Sequence, residues 1–95
     1  MFSKLKQVKD LRSKAKKIQA TLAEEMIEET TKGITIRMDG NQKIHSIQFE
    51  DHLMNDKTRL EANLVDAMNS TIKKVQKKMA VKLQKMGGLD LPGLS

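Results

Sequence analysis

Cysteine, tryptophan and tyrosine are absent from this 95-residue chain, and two Phe and one Pro are all it has of those two residue types. Without Cys there is neither a disulfide nor a thiolate metal site to supplement the core, and a reducing compartment fits. Without Trp or Tyr there is no platform on which unpaired bases would stack, which disfavours a reader of single strands. Arginine is scarce as well: of 18 basic residues only Arg12, Arg37 and Arg59 are Arg, so bidentate reading of guanine edges has few candidates. No run approaches the roughly 18 apolar residues of a membrane span, and MFSKLKQVKD lacks the apolar stretch of a secretory leader. The expectation is a cytoplasmic chain. Hydrophobic residues make up 38% of it, seven of them Met, so the core is small for one domain and a self-sufficient monomer is not expected.

What is present is periodic. Leu5, Val8, Leu11, Ala15, Ile18 and Leu22 recur at steps of three and four, which predicts a helix of about 22 residues and about 33 Å. Lys6, Lys9, Lys16 and Lys17 fall on its opposite side. A first strand is expected over about 25–31, then a turn at Lys32 and Gly33. Ile34, Ile36 and Met38 next alternate with polar residues as a half-buried strand does. Asp39-Gly40-Asn41 reads as a hairpin turn requiring positive φ, and KIHSIQFE as a third strand with His45, Ile47 and Phe49 on one face. Thr58 and Glu61 have the spacing of a capping box. From there Leu60, Leu64, Met68, Ile72, Val75, Met79, Leu83 and Met86 form a seam about 28 residues and about 42 Å long, ended by Gly87 and Gly88.

The fold class is therefore α+β: helix, three-stranded antiparallel sheet, long helix. Residues 1–88 form one domain and 89–95 an apolar tail, docked or flexible. Strands of seven or eight residues span about 25 Å and cannot cover both helical seams. Leftover apolar seam predicts a two-fold homodimer in which the seams cover each other, with Leu64, Met68, Ile72, Val75 and Met79 at the interface.

Charge is segregated. Residues 2–23 carry +6, from Lys4, Lys6, Lys9, Arg12, Lys14, Lys16 and Lys17 against Asp10. Residues 73–86 carry another +6, from Lys73, Lys74, Lys77, Lys78, Lys82 and Lys85 with no acid, while the stretch between is −5. Lys73, Lys74 and Lys77 are expected together on the back of the second helix. A solvated face is the plain reading of any basic run, but two such helices suit a polyanion. Contact with duplex phosphates, with little sequence preference, is the mode these residue types support. The expected contacts are Lys6, Lys9, Lys16, Lys17, Lys73, Lys74, Lys77 and Lys78.

Catalytic chemistry finds little support. His45 and His52 have no Cys to share a metal with, and Glu24, Glu25, Glu28 and Glu29 read as solvated charge before a cation site or an acid/base pair. Ser3, Ser13, Ser46 and Ser70 lack a nucleophile motif, and the glycines form no phosphate loop. The methionines of the second seam read as core or interface filling. No enzyme, metal, cofactor, small-molecule substrate or membrane is expected.

LEANLVDAMN at 60–69 supplies Leu60, Glu61, Leu64, Val65, Ala67 and Asn69 to one pattern, Ile34 to Gly40 a strand-turn pattern, and Leu91, Pro92 and Gly93 an LPG ending. In that order they resemble the YbaB/EbfC family of bacterial nucleoid-associated proteins over almost the whole chain. The short TTKG and Asp39-Gly40 depart from the family's Gly-rich first turn and Asn-Gly turn. The resemblance implies a tight, tweezer-like homodimer, layered β/α/β, that binds double-stranded DNA in the nucleoid through its helical parts. It further implies that the basic start of one first helix approaches the basic end of the partner's second helix. The competing readings are a protein-interaction module using the seam or the tail, and attachment to a membrane surface by the first helix, whose seam looks committed to folding.

Overall fold

A computed structural model describes residues 2–86, with side chains from Gln7 onward. The expected Gly87 and Gly88 helix stop, the tail at 89–95 and the Lys6 side chain lie outside the described residues. The chain runs α1 (Phe2–Ala23), β1 (Met26–Thr31), β2 (Ile34–Asp39), β3 (Ile44–Phe49), a 3-10 turn (Asp51–Asn55) and α2 (Lys57–Lys85). This is the α-β-β-β-α order that the periodicities predict. The sheet is antiparallel in the order β1-β2-β3, so two of its three strands are edges.

Turn chemistry sets the hairpins. Lys32 and Gly33 both take positive φ, 50° and 84°, which gives the two-residue link whose twist matches the flanking strands. The second turn differs from the expected one. There the left-handed residue is Gln42, at φ 65°, and not Gly40. Asp39 organises this turn: its Oδ1 accepts from the backbone N–H groups of Asn41 at 2.9 Å and Lys43 at 3.1 Å. The register then shifts, Arg37 facing Ser46 but Met38 facing Ile44. His45 is the extra residue of a β-bulge. Directly opposed residues share a face, so the bulge puts Ile44 with Ile47 and Phe49 and diverts His45 from the apolar face on which simple alternation placed it.

The helix start is likewise displaced. Asp56, not Thr58, caps α2, its carboxylate accepting from the N–H of Arg59 at 3.1 Å. The 3-10 turn just before it buries Leu53. An aspartate at the N-cap satisfies an orphan donor and meets the positive end of the helix dipole, which the more distal Thr58 could not do.

α2 lies chiefly over β1 and β2, and its seam joins two apolar clusters. Ile34, Ile36, Leu53 and Ala67 form one, flanked by Ile47, Leu60, Leu64 and Met68. Leu22, Ile27, Met38, Val75 and Met79 form the other, flanked by Ile18 and Ile72. Thr71 sits fully buried between the two, its hydroxyl donating to the Ala67 carbonyl one turn back. At 1.5 Å per residue α2 is about 44 Å long, against about 20 Å for six-residue strands. The helix outruns its sheet, and β3's inner face is incompletely covered: Ile44 and Phe49 are each 38% exposed and Val65 of α2 is 60% exposed.

Candidate nucleic-acid interface

From Ala67 to Met86 there is no acidic residue, so α2's C-terminal half is electrostatically uncompensated within its own sequence. Like charges recur at four-residue spacing (Lys73 and Lys77; Lys74, Lys78 and Lys82), and each such pair costs an isolated helix about 0.2–0.5 kcal/mol. Lys82 and Lys85 offset part of this by facing the negative end of the helix dipole. A polyanion laid along the row would remove the remainder.

The fold divides these lysines into two sets. Lys73, Lys77, Lys78 and Lys85 are exposed. Lys77, Lys78 and Lys85 border a shallow groove with Glu25, Met79, Val81 and Lys82. Lys74, expected on the same helical back as Lys73 and Lys77, instead leans onto β1: its ammonium lies 3.0 Å from Glu29 Oε2 and donates to the Glu28 carbonyl at 2.9 Å. Lys82 is held by Glu25. On α1, Lys9, Lys16 and Lys17 are exposed, together with Arg12 and Lys14. None of Lys9, Lys16, Lys17, Lys73, Lys77 or Lys78 is held in an ion pair among the described residues.

One junction brings the two cationic helices to the same end of the protomer. Leu22 of α1 and Met79 of α2 share a cluster. Lys17 lies five residues before Leu22, about 8 Å along the axis, and Lys77 and Lys78 immediately precede Met79. The β2–β3 turn closes the junction, the Asn41 side-chain amide donating to the Gln19 carbonyl at 2.9 Å. Asp39, 3% exposed, braces that turn through its Oδ2, which accepts from His45 Nε2 at 2.9 Å. Burial by itself would raise the Asp39 pKa; the hydrogen bonds from His45, Lys43 and Asn41 outweigh it and hold the carboxyl below its ordinary range.

The five expected interface residues part company. Leu64, Met68 and Ile72 are half-buried, the first two packed against the cluster of Ile34 and Ile36 and the third against that of Leu22 and Met79. Val75 and Met79 are instead covered within the protomer, packed with Leu22, Ile27 and Met38. A seam read from one helix cannot tell which of its turns the chain's own sheet will bury. Lys85, eight residues after Lys77 and seven after Lys78, is a further exposed cation of the groove that this spacing could have flagged. Ile44, which simple alternation puts on the other face from Phe49, was hidden by the bulge.

A long helix across a small antiparallel sheet, with unpaired cations on both helices, suits a small α+β polyanion-binding protein. The chain belongs to the YbaB/EbfC DNA-binding family, whose profile matches residues 1–89. That family is nucleoid-associated. No curated protein matches the chain. Among solved structures, the uncharacterized protein HP0035 from Helicobacter pylori is similar, with a TM-score of 0.72 and 18% identity over 90% of this chain and 96% of that one. At that identity the likeness concerns the fold alone.

Proposed function

We propose that this protein is a non-enzymatic, cytoplasmic component of the nucleoid that binds double-stranded DNA as a homodimer, with little sequence preference, through lysines on both helices. The observation that carries the reading is the set of exposed lysines, without ion pairs among the described residues, on α1 and on α2's C-terminal half, two helices joined through the Leu22–Met79 cluster. Lysine ammonium groups are point charges suited to phosphate and poor at reading base edges. Among the described residues no helix is long and apolar enough to cross a membrane.

The homodimer rests on the incompletely covered apolar surface. Phe49, Ile44 and Val65 stand exposed and Leu64, Met68 and Ile72 are half-buried, while α1 exposes Val8 and Leu11. A second copy offers the same surfaces with the same needs, which is the condition for an isologous interface. The same apolar surface also favours the alternative, an interaction module for another protein. Sedimentation of the purified chain separates the two, since a monomer at tens of micromolar would leave that surface to a different partner.

Titration of unrelated duplexes across salt tests the DNA reading. Six to eight phosphate contacts predict a log–log slope of affinity against salt of about −5 to −7. A slope shallower than about −2, or strong discrimination among duplexes, would count against it.

A further inference from the structure

The four glutamates in and just before β1 have no part in the proposed phosphate contacts. β1 is an edge strand, and Glu25 and Glu29 border the lysine row of α2. We propose that this acidic edge is an internal competitor for DNA: Glu29 and Glu25 occupy Lys74 and Lys82, keep both out of the phosphate site, and so set its affinity. The inference rests on the DNA-binding reading and specifies how that site is tuned.

Lys74, Lys78 and Lys82 lie at successive four-residue steps, hence in one row along α2. Glu29 holds the first by its carboxylate and Glu25 the third, while Lys78 between them has no ion-pair partner among the described residues. Lys74 is held twice, since the Glu28 carbonyl takes a second of its donors. The Glu29 side chain is 25% exposed and that of Lys74 37%, so solvent screens this pair less than it would two fully exposed side chains. A phosphate approaching the row must either displace a carboxylate or bind beside it. The second course leaves Lys73, Lys77, Lys78 and Lys85 as the contacts on α2. Glu25 and Glu29 thus act in cis as DNA does in trans.

The test is a double-mutant cycle, in which only the combined variant keeps the wild-type net charge, read by duplex titration across salt with the protein full length. Glu25→Gln combined with Glu29→Gln frees two ammonium groups. It is expected to tighten binding by about tenfold or more at ~0.1 M salt and to steepen the log–log slope by about 1.8, or ~0.9 per added phosphate contact. Lys74→Gln with Lys82→Gln is expected to change wild-type affinity less than about twofold, yet to abolish the gain when added to the glutamate variant. The single variants Glu25→Gln and Glu29→Gln, checked by far-UV circular dichroism and sedimentation, stand in should the double variant not fold. Unchanged affinity and slope in the glutamate variants would overturn the proposal. So would a gain that survives Lys74→Gln/Lys82→Gln, because that gain would be long-range repulsion relieved and not lysine released. Absence of any duplex binding by the wild type overturns the DNA reading itself, and this inference with it.

Discussion

The backbone N–H of Gly40 donates to the carbonyl oxygen of Leu22 at 3.0 Å, which ties the β2–β3 turn to the C-terminus of α1. With Asn41 on the Gln19 carbonyl, the turn meets the last turn of α1 at two backbone carbonyls, and that of Leu22, past the reach of a helical i+4 donor, is shared with the Glu25 N–H at 3.1 Å. Among the described residues α1 reaches the apolar core through Ile18 and Leu22, while Val8 and Leu11 stand exposed farther along. The turn therefore helps to set the direction of a lever about 33 Å long, and a 10° change at its root would move the far end by about 6 Å. Phosphate charges on one strand recur about every 3.4 Å along the duplex axis, so such a swing is large on the scale of the proposed contacts.

Gly40→Ala tests that junction directly. A Cβ there would sit 2.5 Å from Met79 Sδ and 2.6 Å from the Leu22 carbonyl oxygen. The thioether can move aside, but the carbonyl belongs to a helix backbone. Overpacking of this kind destabilises by about 1–3 kcal/mol. The expected outcome is a lower urea midpoint with an unchanged denaturant slope, and a stability equal to wild type would show that α1 yields freely.

Asp39 gives the junction a pH dependence. Its carboxyl is held below the ordinary value of 3.8, so the native state prefers the ionised form more than the unfolded chain does. The associated stability is fully present above 3.8 and is lost as pH falls through the lowered native value. Asp39→Asn removes this contribution. The stability difference between wild type and variant should be largest near neutral pH and shrink below pH 4, measured by urea unfolding at fixed salt. A difference that grows on acidification would contradict the assignment.

Why some of this was legible in the sequence and some was not follows from the range of the forces involved. The seam Leu60, Leu64, Met68 and Ile72 and the alternation Ile34, Ile36 and Met38 are local periodicities, and each produced the expected element. Gly40 was correctly placed in a turn but for the wrong reason, because the pressure on it comes from Leu22 and Met79, 18 and 39 residues away. Lys74 shows the same limit. It was expected on the back of α2 with Lys73 and Lys77, yet a flexible side chain near β1 goes to Glu29, and no spacing within α2 encodes that.

Burial also divides the proposed dimer seam into testable halves. Leu64→Glu or Ile72→Glu places a charge at half-buried positions of the α2 seam, where a second copy is proposed to pack, and is expected to yield monomers in sedimentation and to abolish DNA binding with every lysine in place. Phe49→Glu, on an exposed side chain, is the milder probe: it should weaken the dimer while leaving far-UV circular dichroism unchanged. A proven monomer that keeps wild-type DNA affinity would refute the requirement for the dimer.

The two sets of α2 lysines predict unequal effects from equal charge changes. Lys73 and Lys77 are exposed and carry no ion pair among the described residues, whereas Lys74 and Lys82 are engaged by Glu29 and Glu25. Lys73→Gln/Lys77→Gln should flatten the salt slope by about 1.8 and weaken binding to all duplexes alike, since phosphate contacts carry no sequence information. Lys74→Gln/Lys82→Gln removes the same two charges, yet should leave the slope nearly unchanged. It should cost stability instead, because Glu25 and Glu29 lose their partners, although pairs this exposed to solvent contribute only about 0–1 kcal/mol each. Net charge is identical in the two variants, so long-range attraction is matched to first order and the contrast isolates local contact. Equal slopes in both would mean that DNA responds to the total charge of α2 and not to which of its lysines the fold leaves free.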